Sequence, residues 1–128
     1  MTIFDLYRSL LATAKTDYQD IVVDATIPTL PTGDPLKLRV LIADGSLLDI
    51  YLSTSGRYSY HWERRLIGLG TIYRHDNAPH VRWQHVATFP KHFHNGTESN
   101  VEESYLSEEP EIAIQTVLTF IRTKLLAQ

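Results

Sequence analysis

"LKLRVLIADGSLLDIYLSTSGRYSYHWERR", residues 36–65, is a strand-like run interrupted at Asp44-Gly45 and again at Ser55-Gly56. Both dipeptides suit the tight turns that join hairpin strands. Between the turns the side chains alternate. Leu48, Ile50 and Leu52 fall on one face with Asp49, Tyr51 and Ser53 on the other, and Tyr58, Tyr60 and Trp62 alternate with Ser59, His61 and Glu63. Alternation with one apolar face predicts an antiparallel meander covered on one side only.

Outward from this core, "LIGLGTIYRH" (66–75) continues the meander, and Asp76-Asn77-Ala78-Pro79 ends it, because Asx residues favour turns and proline bars its predecessor from helix. A further strand is expected over "VRWQHVATF" (81–89), stopped by Pro90. Towards the N-terminus, "DIVVDATI" (20–27) reads as a strand before a loop rich in Pro, Gly and Asp. Ile3, Leu6, Tyr7, Leu10, Leu11 and Ala14 repeat at helical spacing behind Thr2 as N-cap, with Asp5 three residues on. At the other end Ile114, Val117, Leu118, Ile121 and Leu125 form the apolar stripe of a second helix, capped by Ser107 with Pro110 in its first turn. The expected fold is therefore α+β: an antiparallel β-meander of about five to six strands flanked by an N-terminal and a C-terminal helix, both covering one sheet face.

At 128 residues the chain matches one domain, expected over 1–128. A hydrophobic fraction of 43% and a charged fraction of 21% exclude disorder and fibrous classes. No apolar run reaches the roughly 20 residues of a membrane span, and the start lacks the features of a secretion signal, so a cytoplasmic location and no membrane are expected. The absence of cysteine removes disulfides, thiolate nucleophiles and cysteine metal sites.

The net charge of −3 hides an asymmetry. Residues 1–55 carry four Lys or Arg against seven acids, residues 56–97 six against two, and residues 98–128 two against six. All six histidines lie in the basic middle third, and five of them fall within "RHDNAPHVRWQHVATFPKHFH" (74–94). A polyanion such as RNA is attracted to such a local field. The structural alternative is that the acidic ends pack over the basic centre, or that the acidic segment around Glu108, Glu109 and Glu111 shields it until a partner arrives.

If "FPKHFH" is extended, His92 and His94 share a face while Lys91 points away. Two adjacent imidazoles suit general acid/base cleavage of RNA, one taking the 2′-hydroxyl proton and the other protonating the leaving oxygen. Arg74, Arg82 and Lys91 are the candidates for phosphate charge, His80 is a third imidazole, and Asp76 is placed to orient a histidine. The competing chemistry is a mononuclear metal site of His92 and His94 with His80 or Asp76 as third ligand. A two-metal carboxylate nuclease is disfavoured for want of acids. The histidines are alternatively structural, Asn77 and Pro79 serve the turn, and Tyr58, Tyr60 and Trp62 form the core face rather than a base-stacking platform.

The sequence resembles the TumE family of small toxins from prokaryotic toxin–antitoxin pairs, whose pattern runs from a DGS hairpin through Y-x-Y-x-W to R-x-DNAPHH and FPHHxH. The matching residues are Asp44-Gly45-Ser46, then Tyr58, Tyr60 and Trp62, then Arg74 with Asp76-Asn77-Ala78-Pro79-His80, and Phe89-Pro90 with His92 and His94. Two histidines of the pattern are Val81 and Lys91 here. The resemblance implies a toxin acting on RNA, paired with a small cognate antitoxin that binds DNA. Joined to the residue chemistry, the leading expectation is a metal-independent ribonuclease without cofactor, with His92 and His94 as acid/base pair. A non-enzymatic binding module and a mononuclear metal-dependent nuclease are the alternatives, and an unpaired sheet edge offers a surface for the antitoxin or for a homodimer.

Overall fold

A computed structural model describes residues 1–127. Helix α1 (Ile3–Asp17) precedes seven strands, β1 (Val22–Thr26), β2 (Leu38–Ile42), β3 (Leu47–Leu52), β4 (Tyr58–Glu63), β5 (Ile72–Asp76), β6 (His92–Gly96) and β7 (Val101–Glu103), and α2 (Pro110–Leu126) closes the chain. The strands form a single antiparallel sheet in sequence order, so every pairing joins neighbours along the chain. The α+β meander between two helices stands as expected, with seven strands among the described residues rather than five to six.

The extra strand comes from a misplaced one. Residues 81–89 are not a strand: successive bonds from Trp83 N to His80 O, Gln84 N to Val81 O and Val86 N to Trp83 O, 2.9–3.0 Å long, wind them into turns. Strand β6 starts only after Pro90, and the short polar β7 lies in what reads as an acidic tail. The apolar residues of 81–89 had mimicked strand alternation, but Pro79 and Pro90 bracket the segment and remove ladder donors at both ends.

The end signals fare better. Thr2 and Asp5 form the reciprocal cap of α1, Thr2 Oγ1 accepting from Asp5 N at 3.0 Å. Glu109 rather than Ser107 occupies the N-cap of α2, and Ser107 Oγ accepts the Glu109 N–H at 3.1 Å; Pro110 takes the first turn. At the Asp44-Gly45 turn Gly45 has φ 91°, and Asp44 Oδ1 accepts the Ser46 N–H at 2.9 Å. Both helices pack on one sheet face, burying Leu10 and Ala14 of α1 and Ile114 and Leu118 of α2 against Leu48, Ile50, Tyr60 and Trp62. The Tyr18 hydroxyl ties the helices together through Gln115 O at 3.1 Å. Tyr58, Tyr60 and Trp62 are therefore core, and they offer no platform for bases.

His75 also faces the helices, its ring stacked on Phe93 with centroids 4.2 Å apart and its Nδ1 2.8 Å from Ser104 Oγ. Burial pushes its pKa down from 6.5 to about 4. Because the folded value lies below the unfolded one, the unfolded chain takes up the proton first, so stability is complete above pH 6.5 and declines as pH falls towards 4. Denaturant midpoints measured between these limits are expected to fall less steeply in His75→Phe. His94 is shifted in the same direction, and Glu63 and Glu98 are held below their ordinary values, so part of the slope remains.

Candidate functional site

The face of the sheet away from the helices carries the polar half of each alternating pattern. Antiparallel register lines Arg39, Asp49, His61, Arg74 and His94 in one row across β2 to β6. The adjacent row holds Ser59, Asp76 and His92. Arg39 and Asp49 close one end of the first row as a two-point ion pair at 2.9 Å. The remaining members converge on Arg74.

Every N–H of the Arg74 guanidinium has a partner. Nε donates to Asp76 Oδ2 at 2.9 Å, Nη1 to His61 Nδ1 at 3.2 Å and Glu98 Oε1 at 3.1 Å, and Nη2 to His94 Nε2 at 3.1 Å and Glu98 Oε2 at 2.7 Å. Glu98 is the loosest of these partners, a two-point carboxylate whose side chain is 51% exposed. Its hydrogen bonds from Arg74 hold its carboxyl below the usual range, and Glu98 and Asp76 together raise the guanidinium pKa against the opposing cost of burial.

The tautomers follow from the partners. His94 Nδ1 lies 2.8 Å from the Glu98 carbonyl and His92 Nδ1 2.9 Å from the Pro90 carbonyl; a carbonyl only accepts, so each Nδ1 carries hydrogen, and the Arg74 Nη2 donor marks a lone pair on His94 Nε2. Both Nε2 atoms face Asp76, His92 at 3.0 Å from Oδ1 and His94 at 3.7 Å from Oδ2. Burial holds the His94 pKa below its ordinary value, with the Arg74 charge adding to the shift and the Glu98 carbonyl opposing it, so this imidazole is neutral at pH 7. Asp76 Oδ1 also accepts the Ala78 N–H at 3.0 Å, which fixes the turn that leads away from β5.

The 81–90 segment lies over this cluster. Trp83 stands edge-on to His94, with centroids 5.8 Å apart, and Arg82 lies over the Trp83 ring at 4.6 Å. Between that segment and the sheet runs a cleft of about 300 Å³ lined by Arg74, Asp76 and His94 from the sheet and by His80, Arg82, Trp83 and Glu98 from the loops. Of the sequence candidates, His80, Arg82, Arg74, Asp76 and His94 thus share one opening. His92 touches His94, ring centroids 4.9 Å apart, but is 0% exposed and lies behind the cleft. Lys91 is elsewhere: its Nζ donates to Leu106 O at 2.7 Å, so its expected phosphate role is not supported by position. Asn77 is structural, accepting the Tyr58 N–H at 3.0 Å and donating to Gly56 O at 2.9 Å.

Comparison with known proteins agrees with this arrangement of motifs: the Toxin TumE family model matches residues 10–125. The chain belongs to the TumE toxin family. No curated protein and no solved structure matches it. Among the described residues, no helix of this TumE toxin is long and apolar enough to cross a membrane. The two departures from the TumE histidine pattern sit outside the cluster, Val81 being 70% exposed and Lys91 tied to Leu106. Two members of the cluster escaped sequence reasoning. His61 was legible, since alternation places it on the polar face and the meander sets it opposite Arg74. Glu98 was not, because only the β6–β7 turn returns it to Arg74.

Proposed function

We propose that this toxin is an endoribonuclease whose cleft binds an RNA phosphodiester on Arg74 and Arg82, and that a small cognate antitoxin neutralises it. The observation that carries the proposal is the two-point hold of Arg74 on the half-exposed Glu98 carboxylate, in a cleft shared with two imidazoles. A guanidinium fork fits phosphate as it fits carboxylate, so an incoming phosphodiester takes the place of Glu98. Neutral His94 presents its Nε2 lone pair towards the cleft once Arg74 turns to the phosphate, and suits the base that accepts the 2′-hydroxyl proton. His80, exposed across the opening, suits the acid that protonates the leaving oxygen. In this metal-free version His92 is a positioning residue behind His94 and not a member of the acid/base pair, because its burial keeps it from substrate. Trp83 borders the cleft and is placed to stack a base.

The test is induction in a bacterial host and incubation of the purified protein with RNA, comparing wild type with His94→Ala and His80→Ala. Each variant is expected to cut RNA about 100-fold or more slowly at unchanged fold, and to relieve growth arrest. RNA that stays intact with wild type while growth still stops would replace the ribonuclease by a binding module.

A further inference from the structure

We propose that Asp76, His92 and His94 form a binding site for one divalent first-row transition-metal ion. Their ligand atoms, a carboxylate oxygen and two imidazole nitrogens, all lie within 4.8 Å of one another. Both imidazoles donate Nδ1–H to a backbone carbonyl, Pro90 and Glu98, which is the outer hydrogen bond that orients a metal-binding histidine and turns Nε2 inward. His92 Nε2 is the deciding atom. It is buried without a hydrogen bond, although Asp76 Oδ1 stands 3.0 Å away, so a ring nitrogen and a carboxylate oxygen face one another unjoined. A buried unsatisfied polar atom is costly, and a cation at this position satisfies the nitrogen and the carboxylate together.

Asp76 supplies a carboxylate charge for the cation, and Glu98 stands beside it across Arg74. Arg74 must release His94 Nε2, and it keeps Asp76, His61 and Glu98 as partners when it does. Two imidazoles and one carboxylate select Zn(II), Co(II), Fe(II) or Mn(II) over Mg(II) or Ca(II), which demand more oxygen ligands. Because Asp76 and His94 also line the cleft, the ion sits at its inner wall, and the 2′-hydroxyl proton then goes to water while His80 keeps its role as acid. This inference stands apart from RNA as substrate.

Tag-free protein stripped with a chelator is titrated with Zn(II) by calorimetry and with Co(II) by visible absorption. One equivalent is expected to bind, with a Co(II) spectrum of imidazole ligation and a raised melting temperature. His92→Phe, which keeps a ring in the buried position, and His94→Ala are each expected to weaken binding by more than about 100-fold, beyond what loss of an outer partner achieves. His85→Ala, an exposed histidine away from the cluster, is expected to bind as wild type does. Absence of saturable binding to wild type, or full binding by folded His92→Phe and His94→Ala, overturns the site. RNA cleavage judges the preceding proposal alone. A protein that loads one ion here and leaves RNA intact supports the site and removes the ribonuclease, whereas one that cuts RNA and binds no ion does the reverse.

Discussion

Asp76→Asn is expected to leave a folded protein that no longer arrests growth or cuts RNA, with activity down by about 100-fold or more. Asparagine keeps the shape of the side chain and an Oδ1 for the Ala78 N–H, so the turn after β5 survives. What it removes is the charge that the Arg74 Nε–H and both inward-facing histidine Nε2 atoms meet. Its amide nitrogen puts a donor against the Arg74 donor, a loss of about 1–3 kcal/mol that lowers the melting temperature by roughly 4–12 °C. Asp76→Ala is a harsher change, because a largely buried guanidinium loses its innermost partner, and costs about 3–5 kcal/mol. The decisive comparison is therefore Asp76→Asn against wild type, reading circular dichroism and RNA cleavage on the same samples. Full activity in a folded Asp76→Asn protein would remove the carboxylate from both versions of the chemistry. Glu98→Gln is expected to go the other way and tighten RNA binding, since it weakens the competitor that holds Arg74.

Trp62→Ala is expected to cost about 3–5 kcal/mol of stability, or roughly 12–20 °C in melting temperature. Trp62 is 1% exposed at the centre of the sheet's helix-covered face. Its ring stacks on Tyr73 with centroids 5.3 Å apart and meets Phe120 edge-on at 6.2 Å, while Arg64 lies over it at 4.4 Å. Its Nε1–H donates to Ser46 Oγ at 2.7 Å, which links the core to the Asp44-Gly45-Ser46 turn. Alanine leaves a large cavity and removes the indole donor from Ser46 Oγ, which keeps only Asp44. Against a total stability of about 5–15 kcal/mol, such a loss takes roughly a fifth or more of the whole. Trp62→Phe retains most of the ring and loses the hydrogen bond, so a smaller drop of about 1–3 kcal/mol is expected. Because the cleft lies on the opposite face, folded Trp62→Phe protein should keep wild-type cleavage at low temperature. Denaturant unfolding of the three proteins checks the order, and a Trp62→Ala midpoint equal to wild type would show that this ring is not the keystone of the core.

Local chemistry in the sequence was enough to determine the meander, its two glycine turns, the Thr2 cap and the apolar stripes of both helices, because each depends on residues a few positions apart. Alternation also assigned faces: Tyr60 and Trp62 inward, and His92 and His94 together on one side of their own segment. Crowding in sequence was a poorer guide than register. Of the five histidines between residues 74 and 94, His75 belongs to the core face and His85 to the surface, whereas distant His61 joins the cluster across the β4–β5 pairing. Residues 81–89 alternate like a strand and yet fold as turns, since hydrogen bonding between prolines overrode a weak pattern. Tertiary structure alone decided that His92 is sealed while His94 lines a cleft, that Lys91 reaches Leu106 and not the site, and that Glu98 returns to Arg74. Periodicity says which side of a sheet a side chain takes. Which loop then covers that side, and which charges it brings with it, is set by contacts between residues far apart in the chain.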